Sequence, residues 1–182
     1  ILRRHDEWIA SQFRRFIKSG HSWHFRDFFD MEHDAGAWKQ ERLLYFRNIE
    51  TLEKYYPSKP LVLFYDDLKA DPRGFVERIA RYFRAEVDTN AIDFSPKHAS
   101  YREKQLRTVY TFSSKTNLVK KKRSGNRILN VLGNLWINTK RYSLLYLAPL
   151  FPDRWISNDP IFPTEEELRR IREAYDDDWR QC

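Results

Sequence analysis

The sequence predicts an α/β fold, partial and helix-rich, with a parallel strand flanked by helices. Three observations carry that expectation. Leu61-Val62-Leu63-Phe64-Tyr65 is a short unbroken apolar run after Ser58-Lys59-Pro60, the pattern of a strand buried on both faces in a parallel sheet. Ile1-Leu2-Arg3-Arg4 reads as the end of a second strand entering a helix. Stripes of apolar residues at helical spacing lie on either side of the Leu61 run, and a parallel strand between helices is half of a doubly wound unit. The 182 residues are 41% hydrophobic, enough for one sizeable core, so a single domain over 1–182 is expected.

Taken in order, Asp6 to Lys18 carries Trp8, Ile9, Gln12, Phe13, Phe16 and Ile17 on one helical face, with Asp6 as cap and Gly20 as the left-handed stop. A loop from Gly20 to Gly36 holds Phe25, Phe28 and Phe29. A second helix spans Trp38 to Tyr56, with Trp38, Tyr45, Ile49, Leu52 and Tyr56 on its stripe and Pro57 ending it. After the strand, Asp71-Pro72 opens a third helix with Phe75, Ile79 and Phe83 inward. Residues 94–127 give a helix and then a polar loop. Ile128 to Phe151 is apolar but interrupted by Asn130, Asn134, Asn138, Lys140 and Arg141, which argues against a membrane span. Thr164 and Glu167 form a capping box for a last helix whose stripe is Leu168, Ile171, Tyr175 and Trp179.

Composition narrows the function. Thirteen Phe, ten Tyr and six Trp exclude a chain that cannot collapse, and five Gly with eight Pro exclude collagen-like or linker character. The single cysteine, Cys182, excludes an intrachain disulfide and a cysteine-rich zinc site, and favours a reducing, cytoplasmic location. No metal-ligand spacing is visible. The chain opens at Ile1 without Met or an apolar leader, so it is expected to be the C-terminal portion of a longer protein. Its net charge of +7 suits an anionic ligand.

The candidate site is an anion site at the first turn. Arg3 ends the presumed strand, and Ser11 lies eight residues on, inside the next helix. A guanidinium at a strand end offers paired donors to a phosphate, a helical hydroxyl adds another, and the helix N-terminus reinforces both. Arg-x7-Ser alone also describes a solvated arginine and a small packing serine.

Two segments in order make the pattern specific. Leu2-Arg3-Arg4-His5-Asp6-Glu7-Trp8-Ile9-Ala10-Ser11-Gln12-Phe13 resembles the 3′-phosphate-binding segment of sulfotransferases that use 3′-phosphoadenosine 5′-phosphosulfate (PAPS), where a strand ends in Arg and Ser follows eight residues later. Leu61-Val62-Leu63-Phe64-Tyr65-Asp66-Asp67-Leu68-Lys69-Ala70-Asp71-Pro72 resembles the later segment of the same family, an apolar strand, an aromatic, an acidic pair, then Leu-Lys and a helix opened by Asp-Pro. The resemblance implies a P-loop-like fold and transfer of a sulfuryl group from PAPS, with no metal, to a hydroxyl or amine of a carbohydrate, lipid or small molecule. It also implies that Arg3 and Ser11 hold the 3′-phosphate. Tyr65 stands either beside the adenine or as a buried strand aromatic. Asp66 and Asp67 are expected to cap the turn or pair with basic residues.

The sequence departs from that family in two places. The 5′-phosphosulfate loop and the general base, both expected upstream of Ile1, have no counterpart here, so no catalytic residue is assigned; His5, His21, His24, His33 and His98 occupy other positions. A late basic, glycine-containing loop closes the nucleotide in some members. Lys120 to Gly125 is either that loop, with Arg123 and Gly125 as its binding residues, or a solvated basic stretch. Two rival readings are a nucleic-acid-binding module, based on the charge and the Lys120-Lys121-Lys122-Arg123 run, and a P-loop kinase relative. Against the first, 26 acidic residues are mixed among 33 basic ones, and the aromatics fall on core stripes.

Overall fold

The computed structural model describes residues 1–95, 100–119 and 125–182. The described helices are α1 (His5–Lys18), α2 (Phe25–Phe28), α3 (Tyr45–Tyr55), α4 (Tyr65–Ala70), α5 (Pro72–Phe83), α6 (Glu103–Thr116), α7 (Arg127–Leu147), α8 (Glu165–Ala174) and α9 (Asp176–Gln181). No described helix is long and apolar enough to cross a membrane.

Among the described residues there is no strand and no sheet, so the predicted α/β, P-loop-like parallel sheet is corrected to a helical fold. What survives of the pairing is one parallel bridge, Leu2 with Phe64. Leu2 N–H donates to the Leu63 carbonyl and Tyr65 N–H to the Leu2 carbonyl, each at 2.7 Å, the alternating pattern of a parallel ladder one residue long. The reason is local. Only Leu63 of the run is buried, and its neighbours Leu61, Val62 and Phe64 are half-buried rather than covered on both faces. From Tyr65 the chain coils at once into α4, whose first turn holds Asp66 and Asp67, where carboxylates favour a helix N-terminus.

The chain packs as two compact units. The first comprises Ile1–Trp8, Lys39–Ala99 and Glu166–Cys182. Its centre is the buried His5 ring, stacked on Tyr45 at 4.3 Å and on Tyr175 at 5.0 Å, with the Trp179 edge at 6.0 Å. Asp178 ties these parts together: its Oδ2 bonds His5 Nε2 at 3.0 Å and accepts from Tyr45 N–H at 2.9 Å, while Oδ1 accepts from Phe46 N–H at 3.2 Å. It thereby caps α3, whose own residue Leu44 supplies no side-chain cap. The predicted helix from Trp38 is accordingly broken at Leu44, into a 3-10 turn over Gln40–Leu43 and then α3. The Asp71 carboxylate accepts from Gly74 N–H at 2.9 Å and Pro72 follows it, so α5 starts where Asp71-Pro72 places it. Phe75 is buried there, but Phe83 is 70% exposed, against expectation.

The second unit comprises Ile9–Trp38 and Ser100–Glu165. Ile9, Phe13 and Ile17 of α1 are fully buried, as the helical stripe predicts. Phe13 meets Phe25 edge-on at 5.3 Å and Phe28 at 5.4 Å, so the predicted loop folds in part into α2 and supplies core. Leu106, Val109 and Tyr110 of α6 and Ile137 and Leu145 of α7 extend it. Gly20 stops α1 at φ +94, and a Cβ there would lie 2.5 Å from the Leu118 carbonyl oxygen, so both conformation and space require glycine.

Candidate functional site

The bridge between Leu2 and Phe64 has a direct consequence for the two sequence segments. Because the pairing is parallel, the residues that follow it, Arg3 and Tyr65, emerge at the same end. The Arg3 guanidinium carbon lies 4.9 Å from the centre of the Tyr65 ring, a cation–π contact. Lys69, one turn into α4, places its ammonium 5.3 Å from the centre of the same ring. Tyr65 is half-buried and opens α4 instead of ending a strand.

Carboxylates accompany both cations. Arg3, just before α1, donates from Nε to Glu7 Oε2 in the first turn of that helix at 2.9 Å, and both side chains are about one-third exposed (34%). No hydrogen bond involves Arg3 Nη1 or Nη2 among the described residues, so the end of the fork keeps its donors. Lys69 pairs with Asp66 at 2.6 Å, and that hydrogen bond is the main cause that raises the Lys69 pKa above its usual value. Asp67 pairs with Arg78 at 3.1 Å. Both acidic residues thus serve pairing, one of the two roles the sequence suggests. Chemically, the group offers a guanidinium fork, an aromatic face and an ammonium, with Glu7 competing against any incoming anion.

Ser11 lies on α1 in the second unit, half-buried, and its hydroxyl makes no hydrogen bond among the described residues. Gly125 is exposed and precedes Asn126, whose side chain caps α7 by accepting from Ile128 N–H at 2.9 Å. A Cβ at Gly125 would meet nothing within 4 Å, so no close approach demands glycine there. Arg123 and the rest of the Lys120–Arg123 run lie outside the described residues, as does His98.

The other histidines have structural surroundings. His5 is held below its usual pKa because burial penalises the imidazolium, an effect that Asp178 only partly offsets. His21 stacks on Phe16 at 3.7 Å, His24 lies 3.3 Å from the Tyr110 hydroxyl, and His33 pairs with Asp30 at 3.5 Å. Among the described residues no group of three or more His, Cys, Asp and Glu is placed to hold a metal ion.

Two cavities in the second unit bear on its chemistry. One of about 460 Å³ is apolar, lined by Phe112, Leu118, Trp136, Leu144, Leu147 and Phe151 among others. The other, about 160 Å³, is lined by Arg15, Lys18, Ser19, Arg141, Tyr142 and Leu145. Sequence reasoning used Arg141 only as an interruption of an apolar run, and it missed Glu7, although the i,i+4 spacing from Arg3 signals such a pair. Compared with protein-family models, with curated proteins and with solved structures, the chain matches none.

Proposed function

We propose that this chain binds the 3′-phosphate side of PAPS and serves sulfuryl transfer from that donor to a hydroxyl or amine. The observation that carries this reading is the meeting of Arg3 and Tyr65. The two segments that resemble the sulfotransferases are far apart in sequence, and the Leu2–Phe64 bridge brings the basic residue of one against the aromatic residue of the other. That meeting supports the reading without any sheet.

Sulfuryl transfer, like phosphoryl transfer, runs in line with charge spread over equatorial oxygens, so a protein contributes mainly by positioning and cationic stabilisation. In this reading the Arg3 Nη donors take the 3′-phosphate and Tyr65, which Arg3 contacts, lies beside the adenine. Ser11, which the resemblance adds as a second donor, is tested by its own substitution. Arg123 and Gly125 keep only the role that the resemblance gives them.

Equilibrium binding of adenosine 3′,5′-bisphosphate to the full chain tests the assignment. Arg3→Ala is expected to weaken binding by ~1.5–3 kcal/mol, or about 10- to 100-fold, the scale of a hydrogen bond to a charged group. Ser11→Ala is expected to cost ~0.5–1.5 kcal/mol, as one neutral donor. No binding by the unaltered chain, or unchanged affinity after Arg3→Ala, overturns the proposal. Binding of random oligonucleotides without retention of the nucleotide would favour the nucleic-acid reading instead.

A further inference from the structure

The smaller cavity of the second unit has an unusual charge balance. Three of its lining residues, Arg15, Lys18 and Arg141, are cations, and none of its lining residues is acidic. None of the three forms an ion pair with Asp or Glu among the described residues. Residues 96–99 and 120–124 contain no Asp or Glu in the sequence.

Arg141 is the most telling of the three. It interrupts the apolar helix α7 and is only 8% exposed. Its Nη1 donates to the Ser19 carbonyl and its Nη2 to Asn138 Oδ1, both uncharged acceptors, while its Nε is buried without a partner. A guanidinium stays protonated in proteins, so its charge persists in the interior, and a buried charge is costly unless a counter-charge compensates it. Its field is felt nearby: burial chiefly, and the Arg141 charge in addition, hold His21 below its usual pKa. Lys18 lies over two phenol rings, at 4.8 Å from Tyr101 and 5.8 Å from Tyr142, which attract a cation without neutralising it. Arg15 is exposed, and Ser19 is half-buried with no hydrogen bond from its hydroxyl among the described residues.

We propose that this cleft is a binding site for a phosphate dianion, free or as the terminal phosphate of a small phosphomonoester. Three cations with no carboxylate partner among the described residues favour a dianion over a carboxylate, and Arg and Lys donors with a serine hydroxyl suit its oxygens. The volume of about 160 Å³ is well below that of pockets that enclose drug-sized ligands, so it admits a head group and not a nucleotide. The site shares no residue with the Arg3 and Tyr65 group and does not depend on the sulfotransferase reading.

The test is a titration of the full chain with inorganic phosphate, followed by nuclear magnetic resonance at the Ser19 and Arg141 amides and the Arg141 Nε–H. Saturable shifts at these three groups in the millimolar range are expected. A sugar phosphate that produces the same shifts at lower concentration identifies the phosphomonoester as the better ligand, and equal response identifies free phosphate. The surface variant Arg15→Gln with Lys18→Gln, which leaves Arg141 and the core in place, is expected to weaken binding about tenfold or more. Arg3→Ala is expected to leave these shifts unchanged. Absence of saturable shifts, an equal response to acetate, or undiminished binding by the double variant would overturn the proposal.

Discussion

Replacing Asp178 tests how the first unit is held together, and its cost can be worked from contacts. The carboxylate bonds the buried His5 ring at 3.0 Å and caps α3 through Tyr45 N–H at 2.9 Å and Phe46 N–H at 3.2 Å. Its side chain is 12% exposed, so solvent screens these bonds little. Loss of a cap costs about 1 kcal/mol, and loss of a charged acceptor for a buried group costs roughly 1.5–3 kcal/mol. Asp178→Ala is therefore expected to destabilise the first unit by ~3–4 kcal/mol, allowing for the second capping bond. Asp178→Asn keeps the shape but turns an amide N–H₂ toward one donor, so an intermediate loss of ~1–2 kcal/mol is expected. Because two units need not unfold together, hydrogen exchange at α3 amides beyond its first turn, such as Ile49, is the appropriate assay. Exchange that accelerates by on the order of a hundred- to a thousandfold in Asp178→Ala agrees with the estimate. Acceleration of less than about fivefold would refute the assignment of Asp178 as the tie between His5 and α3.

Three further outcomes follow from the same contacts. The His5 pKa is lowered in the folded state, so the unfolded chain binds the proton more readily and stability must rise with pH. The contribution is intact above the unfolded value near 6.5 and is lost as pH falls through that value toward the lower folded one; a pH series of unfolding midpoints should show this, and a shallower series in His5→Asn, with the His21 contribution remaining, identifies the group. Glu7→Gln removes the carboxylate on Arg3 Nε and should tighten adenosine 3′,5′-bisphosphate binding by a few-fold, on the scale of ~0.5–1 kcal/mol for a partly exposed pair; weaker binding would show that Glu7 orients Arg3 instead of competing. Gly20→Ala places a Cβ at φ +94 against the Leu118 carbonyl and should lower stability by ~1–3 kcal/mol in denaturant melts, whereas a neutral result would contradict the tight turn.

Features set by near neighbours in sequence were legible. The α1 stripe reads directly as Ile9, Phe13 and Ile17 at zero exposure, and Asp71-Pro72 starts α5 because cap and first-turn geometry are local. Features set by partners were not. Leu61 to Tyr65 has a strand's composition, but a strand exists only where another pairs with it, and here Leu2 alone does so. The break at Leu44 depends on a carboxylate more than 130 residues away, and the last helix parts at Tyr175 (φ −108, ψ 12) without Gly or Pro to announce it. At the candidate site, Arg3 and Tyr65 were chosen from separate motifs and are found together. Glu7 and Lys69 add the ion pairs around them, and Arg141 shows that its charge lacks a carboxylate partner only once its burial and contacts are known.

The most direct measurement is a calorimetric comparison of adenosine 3′,5′-bisphosphate with adenosine 5′-monophosphate on the full chain and on Arg3→Ala. A preference of about tenfold or more for the 3′-phosphorylated nucleotide, erased in Arg3→Ala, is the predicted result. Equal affinity for the two nucleotides, or a preference that survives in Arg3→Ala, would contradict a role for Arg3 in gripping the 3′-phosphate.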